Sequence, residues 1–128
     1  MADEKATVRE LFRRLYRAQS HPFPVSGRAL LCPPRQGVYL IMDRKGRVSH
    51  VGRTTRAQRG LLDRLRAHLR GRSSFVRLFL KGRRDLLRRG YTYSWIEVRS
   101  PRLRALLEAY TTGFLCPRHI GTGSDAAS

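Results

Sequence analysis

The pattern of this chain predicts an α/β domain whose three-stranded, largely antiparallel sheet is flanked by helices. Three observations carry that expectation. Residues 37–52 read as a β-hairpin, residues 91–99 as a further strand rich in aromatic and β-branched side chains, and apolar residues recur at helical spacing before, between and after those runs. At 128 residues with 41% hydrophobic content, the chain suits one domain with a modest core.

The elements can be justified in order. Residues 4–19 form an amphipathic helix, with Val8, Leu11, Phe12 and Leu15 toward the core, Arg9, Arg13 and Arg17 on another face, and acidic residues at its positive end. Residues 20–36 hold Pro22, Pro24, Pro33 and Pro34, which lock φ and remove amide donors, so this stretch is a surface connector. In the hairpin, Val38, Leu40 and Met42 alternate with Tyr39, Ile41 and Asp43. Arg44-Lys45-Gly46-Arg47 then supplies a turn whose glycine can take a positive φ, and residues 48–51 resume the extended run. A polar loop, Arg53-Thr54-Thr55-Arg56, leads to a helix from about 58 to 69 with a buried stripe of Leu62, Leu65 and Leu69, stopped by Gly71.

Ser73 or Ser74 can cap a further helix running toward 88, with Phe75, Val76, Phe79 and Leu80 inward and a break or bend near Gly82. On it, Arg77, Lys81, Arg84 and Arg88 recur at spacings of four, three and four, a stripe that is either a track for a phosphate backbone or a solvated outer face. Gly90 releases the chain into the strand over 91–99. Ser100-Pro101 opens a last helix with a cap and a proline in the first turn, its stripe of Leu103, Leu107, Tyr110 and Phe114 packing inward. The composition after Ile120 is that of a disordered tail. The expected organisation is therefore a basic helix and Pro-rich connector over 1–34, a main domain over 35–120 and a tail over 121–128.

Charge narrows the partner. Lys and Arg number 27 against 9 Asp and Glu, a formal +18. A surplus of that size repels itself unless a polyanion lies beside it, so nucleic acid is the expected partner. Lysine occurs only at 5, 45 and 81; arginine, whose planar fork matches phosphate, supplies the rest. No stretch approaches the roughly 20 apolar residues of a membrane span, and the acidic start Met1-Ala2-Asp3-Glu4 lacks the apolar run of a secretory signal. A cytoplasmic, nucleoid-associated location is the corresponding expectation. Cys32 and Cys116 are too few for a disulfide framework, and His21, His50, His68 and His119 form no spaced metal motif with them.

The chemistry-bearing residues cluster in a definite order. Gly37-Val38-Tyr39 and His50-Val51-Gly52 flank the hairpin turn, Arg64 and His68 follow one helical turn apart, and Glu108 lies in the last helix, nine residues before Pro117. This series resembles the GIY-YIG nucleases over roughly residues 35–120. Hydrolysing a phosphodiester takes a nucleophilic water, a cation at the scissile phosphate and stabilisation of the leaving oxygen. With only Asp43, Asp63, Asp85, Glu97 and Glu108 available in that region, one cation on one carboxylate fits better than a two-metal site.

The resemblance implies a DNA endonuclease that leaves 5′-phosphate and 3′-hydroxyl ends, with Glu108 holding one Mg²⁺ or Mn²⁺ and Arg64 contacting the scissile phosphate. His68 stands where the family often has histidine or tyrosine, and Tyr39 or His50 would position or activate water. Gly37 and Gly52 match the signature glycines. Arg53, Arg56, Arg77, Lys81, Arg84 and Arg88 are the expected contacts to nucleic acid. The chain departs from the family in two places. His50 replaces the tyrosine that usually begins the second signature, a sensible exchange because an unperturbed imidazole near 6.5 is a better base at neutrality than a phenol near 10. Ile120 stands where an asparagine often follows the proline, which leaves His119 or a nearby hydroxyl as the substitute. A catalytically degenerate nucleic-acid-binding protein on the same fold is the alternative reading; strand form is open between single-stranded, branched and duplex DNA.

Overall fold

Both faces of a single antiparallel sheet are buried, and the chain divides its core between them. The computed structural model describes residues 3–56 and 58–121. Its sheet holds β1 (His21–Pro22), β2 (Gly37–Met42), β3 (Val48–Arg53) and β4 (Thr92–Glu97) in the order β1-β4-β2-β3, all pairs antiparallel. The three expected strands are there. The fourth is a two-residue edge strand from the Pro-rich connector, and Pro22 is tolerated because an edge position needs no donated hydrogen bond on its outer side.

The helices α1 (Glu4–Arg17) and α3 (Pro101–Leu115) pack on one face, where Phe12, Leu15 and Leu107 meet Val38, Leu40, Val51 and Ile96. α2 (Leu61–Leu69) covers the other, where Leu61 and Leu65 meet Tyr39, Ile41, Phe75 and Tyr93. Both helices are capped at their N-termini: the Asp3 carboxylate accepts from Lys5 N–H at 3.2 Å, and Ser100 Oγ, the cap expected from the sequence, accepts from Leu103 N–H at 3.1 Å. Arg102 and Glu4 join α3 to α1 through two hydrogen bonds of 2.8 and 3.0 Å. Beyond α3, the N–H groups of Arg118 and His119 donate to Val48 and Ser49, so the chain closes the free edge of β3.

The segment 73–88 corrects the sequence reading. It is not one bent helix but a single π turn over Phe75–Phe79 followed by a 3₁₀ turn over Arg84–Arg88. Lys81 and Gly82 both take positive φ, 55° and 80°, which no right-handed helix can pass through. Arg77, Lys81, Arg84 and Arg88 therefore do not share one helical stripe. Two smaller corrections follow from packing. Leu61 rather than Leu62 is fully buried on α2, and Phe114 is 65% exposed, stacked on Tyr110 and tilted against Phe12 at the rim instead of packing inward. Both cysteines are free thiols. Among the described residues no helix is long and apolar enough to cross a membrane. The tail expected over 121–128 falls, from 122 on, outside the described residues.

Candidate active site

Strand alternation places Tyr39 and Ile41 on the α2-facing side of the sheet. The hairpin register sets His50 opposite Ile41 and Gly52 opposite Tyr39, so His50 joins Tyr39 on that side, with ring centroids 6.0 Å apart. Register shifts between Ile41 and Met42, where Ser49 is the extra residue, and this bulge sits directly beside His50.

The signature glycines have a packing role. A Cβ on Gly52 would stand 2.3 Å from both Cζ and Oη of Tyr39, so the absence of a side chain is what lets the phenol cross over β3. A Cβ on Gly37 would lie 2.1 Å from the Ile96 carbonyl oxygen. Gly37 also anchors the loop after β3: its N–H donates to Thr54 Oγ1 and its carbonyl accepts from Thr54 N–H, each at 3.0 Å.

On α2, Arg64 and His68 are four residues apart and turn the same face to the sheet. The Tyr39 hydroxyl and His68 Nε2 share a hydrogen bond of 2.7 Å, and His68 Nδ1 and Ser73 Oγ share another of 2.6 Å; Ser73 Oγ also accepts from Val76 N–H at 3.2 Å. Burial pushes the His68 imidazole well below its usual range, and the neighbouring His50, Arg64 and His119 add to that. His68 is thus neutral, with one ring nitrogen donating and the other accepting. The Tyr39–His68–Ser73 chain is directional, and reversing every bond in it moves a proton from one end to the other.

His50 stacks on Phe75 at 5.1 Å and lies between His68 and His119 at 5.2 and 5.4 Å. Ser74 Oγ and His119 Nε2 share a hydrogen bond of 3.1 Å. Glu108 reaches the site from α3, its Oε1 3.6 Å from Arg53 Nε, with each side chain about 30% exposed. Burial raises the Glu108 carboxyl, and the charges of Arg53 and Arg64 only partly offset that. Behind this pair Arg64 and His50 are each 3% exposed, and Tyr39 and His68 are fully buried.

The structure thus brings Tyr39, His50, Arg64, His68, Glu108 and Arg53 to one end of the hairpin. Arg56 is exposed in the adjoining loop. Arg77 is exposed on the π turn and Lys81 in the reversal after it, whereas Arg84 and Arg88 line a groove with Arg66 and Arg70. Ile120 is 63% exposed, while His119 packs against His50 in the cluster.

Two contributors are not visible in the sequence. Ser73 bonds the imidazole as well as capping the turn that follows it. Arg104, which spacing suggests as a solvated partner of Glu108, is instead buried, its Nε donating to the Thr54 carbonyl at 3.0 Å and its Nη1 to those of Val98 and Arg99 at 3.0 and 2.8 Å. It fixes the loop that carries Arg53. Nothing in the local sequence distinguishes it from the other arginines.

No family model matches the sequence, and no curated protein does. Among solved structures, the chain is similar to the GIY-YIG N-terminal endonuclease domain of UvrC from Thermotoga maritima, crystallised as a point mutant bound to its catalytic divalent cation. Identity is 20% and the TM-score 0.52, with 95% of this chain and all of that chain covered. This chain has the GIY-YIG fold. In it, the two signatures occupy adjacent antiparallel strands, β2 and β3, and the arginine–histidine pair and the glutamate lie on the helices covering opposite faces of that hairpin.

The donor set also bears on a metal. Among the described residues no three His, Cys, Asp or Glu side chains gather as a cation cage. Glu108 is a single carboxylate with one side open to solvent, beside guanidinium groups rather than other acids, a set that fits a hard divalent ion keeping most of its water.

Proposed function

We propose that this protein is a divalent-metal-dependent endonuclease that hydrolyses DNA phosphodiesters to 5′-phosphate and 3′-hydroxyl ends. The observation that carries the reading is the convergence of Tyr39, His50, Arg64, His68 and Glu108 at one end of the hairpin in a chain of strongly positive charge. A cation on Glu108, Mg²⁺ or Mn²⁺, would supply Lewis-acid polarisation of the scissile phosphate. Arg64 neutralises charge building on the phosphate oxygens, a task suited to a permanently protonated fork. Tyr39 or His50 orients and deprotonates the attacking water, and the Tyr39–His68–Ser73 chain carries the proton away. Water oxygen bonds to phosphorus, the bond to the 3′ oxygen breaks, and that oxygen takes up a proton from solvent.

In the resting arrangement Arg53 occupies Glu108. Arg53 must leave the carboxylate to contact phosphate. DNA as substrate makes the nucleoid the corresponding location.

Cleavage assays on single-stranded, branched and duplex DNA, with Mg²⁺, Mn²⁺ or EDTA, test the reading. Cutting is expected only with metal, and Glu108→Ala should abolish it while leaving DNA binding intact. His50→Ala and Tyr39→Phe separate the two water-activating assignments, since the true base should lose about 10²-fold in single-turnover rate. The closed position of Arg64 and His50 supports a second reading, a nucleic-acid-binding protein that does not cut. A wild type inert with every metal and strand form would select it.

A further inference from the structure

A groove of about 450 Å³ opens on the side of α2 turned away from the candidate active site, between the connector, α2 and the 3₁₀ turn. Its walls carry Arg28 from the connector, Arg66 from α2, Arg70 from the C-cap just after it, and Arg84 and Arg88 from the 3₁₀ turn, against one carboxylate, Asp85. That carboxylate is already shared between Arg83 and Arg89, each at 3.7 Å. The groove is therefore a concave cationic surface with no free acidic partner lining it.

Two of its arginines are held in place. Arg84 Nη1 donates to the Arg70 carbonyl at 3.2 Å, and Arg88 Nη1 donates to the Pro24 carbonyl. Each guanidinium keeps further N–H donors after that bond, so both are oriented cations with hydrogen-bonding capacity to spare. Such groups suit phosphate oxygens, which accept in the plane of the fork.

Position on the helix decides the form of nucleic acid. Arg66 follows Arg64 by two residues, about 200° around the helix, and Arg70 follows His68 by the same step, so groove and active site occupy opposite sides of one helix about 10–12 Å thick. A duplex with a persistence length of about 50 nm cannot wrap so small a radius, whereas a single strand can. We infer that this groove binds the phosphodiester backbone of a single-stranded segment of the same nucleic acid presented to the active site. The choice of ligand rests on the nucleic-acid reading above; the groove itself does not depend on catalysis.

Fluorescence anisotropy with a labelled 20-nucleotide strand, and with the same sequence as a duplex, tests the inference without any need for cleavage. R28Q/R66Q/R70Q should weaken single-strand binding at least 10-fold at 0.1 M salt and flatten the log–log salt slope by about 2, since about 0.7 counterions are released per phosphate on a single strand. Duplex affinity should change less than 3-fold, and the melting temperature should stay within a few degrees of wild type. R9Q/R14Q/R17Q on α1 removes the same charge elsewhere and should cost less than 3-fold for either form. Single-strand affinity unchanged by the groove substitutions would overturn the groove. Equal losses on both strand forms, or equal losses from the α1 substitutions, would also overturn it by reducing the effect to bulk charge. If the groove variant loses single-strand binding while the wild type cuts nothing, the groove stands and the nuclease reading falls. Should the triple variant melt early, R28Q alone, on the exposed connector, is expected to give about a 3-fold loss specific to the single strand.

Discussion

At the scale of single residues, the site depends on a missing side chain and a neutral imidazole. With a Cβ on Gly52 only 2.3 Å from the Tyr39 ring, Gly52→Ala forces the ring or the strand to move, and a cost of about 3 kcal/mol is expected. The cost should shrink sharply in a Tyr39→Leu background, where no ring end crosses the strand. Additive effects in that double-mutant cycle, read from urea unfolding, would show that the glycine is needed for something other than the ring.

His68 makes a second prediction, on pH. Its folded value lies well below 6.5, chiefly through burial, so between the two values the unfolded chain binds a proton that the folded chain refuses. Stability should therefore be unaffected by His68 above about pH 6.5 and fall below it, with a slope approaching about 1.4 kcal/mol per pH unit. Unfolding measured from pH 8 to 5 should lose this component in His68→Gln; an unchanged slope would place the proton uptake on other groups.

At the scale of elements, the segment over 75–88 shows what the local pattern could not settle. Its apolar spacing suits one helix, yet Lys81 and Gly82 turn left-handed, and Leu80 N–H bonds to Phe75 while Gly82 N–H bonds to Val76. The reversal lets Phe75, Val76, Leu80 and Leu87 all reach the core under α2. A lysine in the left-handed region is strained where glycine is not, so Lys81→Gly is expected to raise stability by about 1 kcal/mol, checked by thermal melting. A loss would mean that the lysine side chain contributes more than its backbone costs. The hairpin is secured differently. Asp43 is buried at its turn, which pushes its carboxyl up, but hydrogen bonds from Arg47 and Lys45 outweigh that and hold it below the usual range.

For the whole molecule, a formal +18 on 128 residues opposes compaction, and exposed pairs such as Arg13–Glu10 and Arg35–Glu97 return little. Screening should relieve the repulsion, so the melting temperature is expected to rise between 0.05 and 0.5 M NaCl while DNA affinity falls over the same range. A melting temperature that drops with salt would show that specific ion pairs outweigh the repulsion. The opposed trends follow from one cause, since the field that strains the free protein is the field that holds a polyanion.

By itself the sequence determined the hairpin, the outer helices with the Ser100 cap of α3, the buried stripes of α1 and most of α3, and the order of the chemistry-bearing residues. Each of these rests on local rules: alternation for strands, 3.6-residue spacing for helices, glycine and proline at the turns. Tertiary structure decided how those residues meet. Hairpin register put His50 beside Tyr39 rather than on the opposite face, because a one-residue slip reverses every side chain. Packing gave Ser73 to His68, drew His119 to His50 and buried Arg104 under the Arg53 loop, contacts between groups 5, 69 and 50 residues apart in sequence. The separation of the arginines into an active-site edge and a groove behind α2 also belongs to the fold, since in sequence every arginine is simply a positive charge and only the path of the backbone tells which of them face one another.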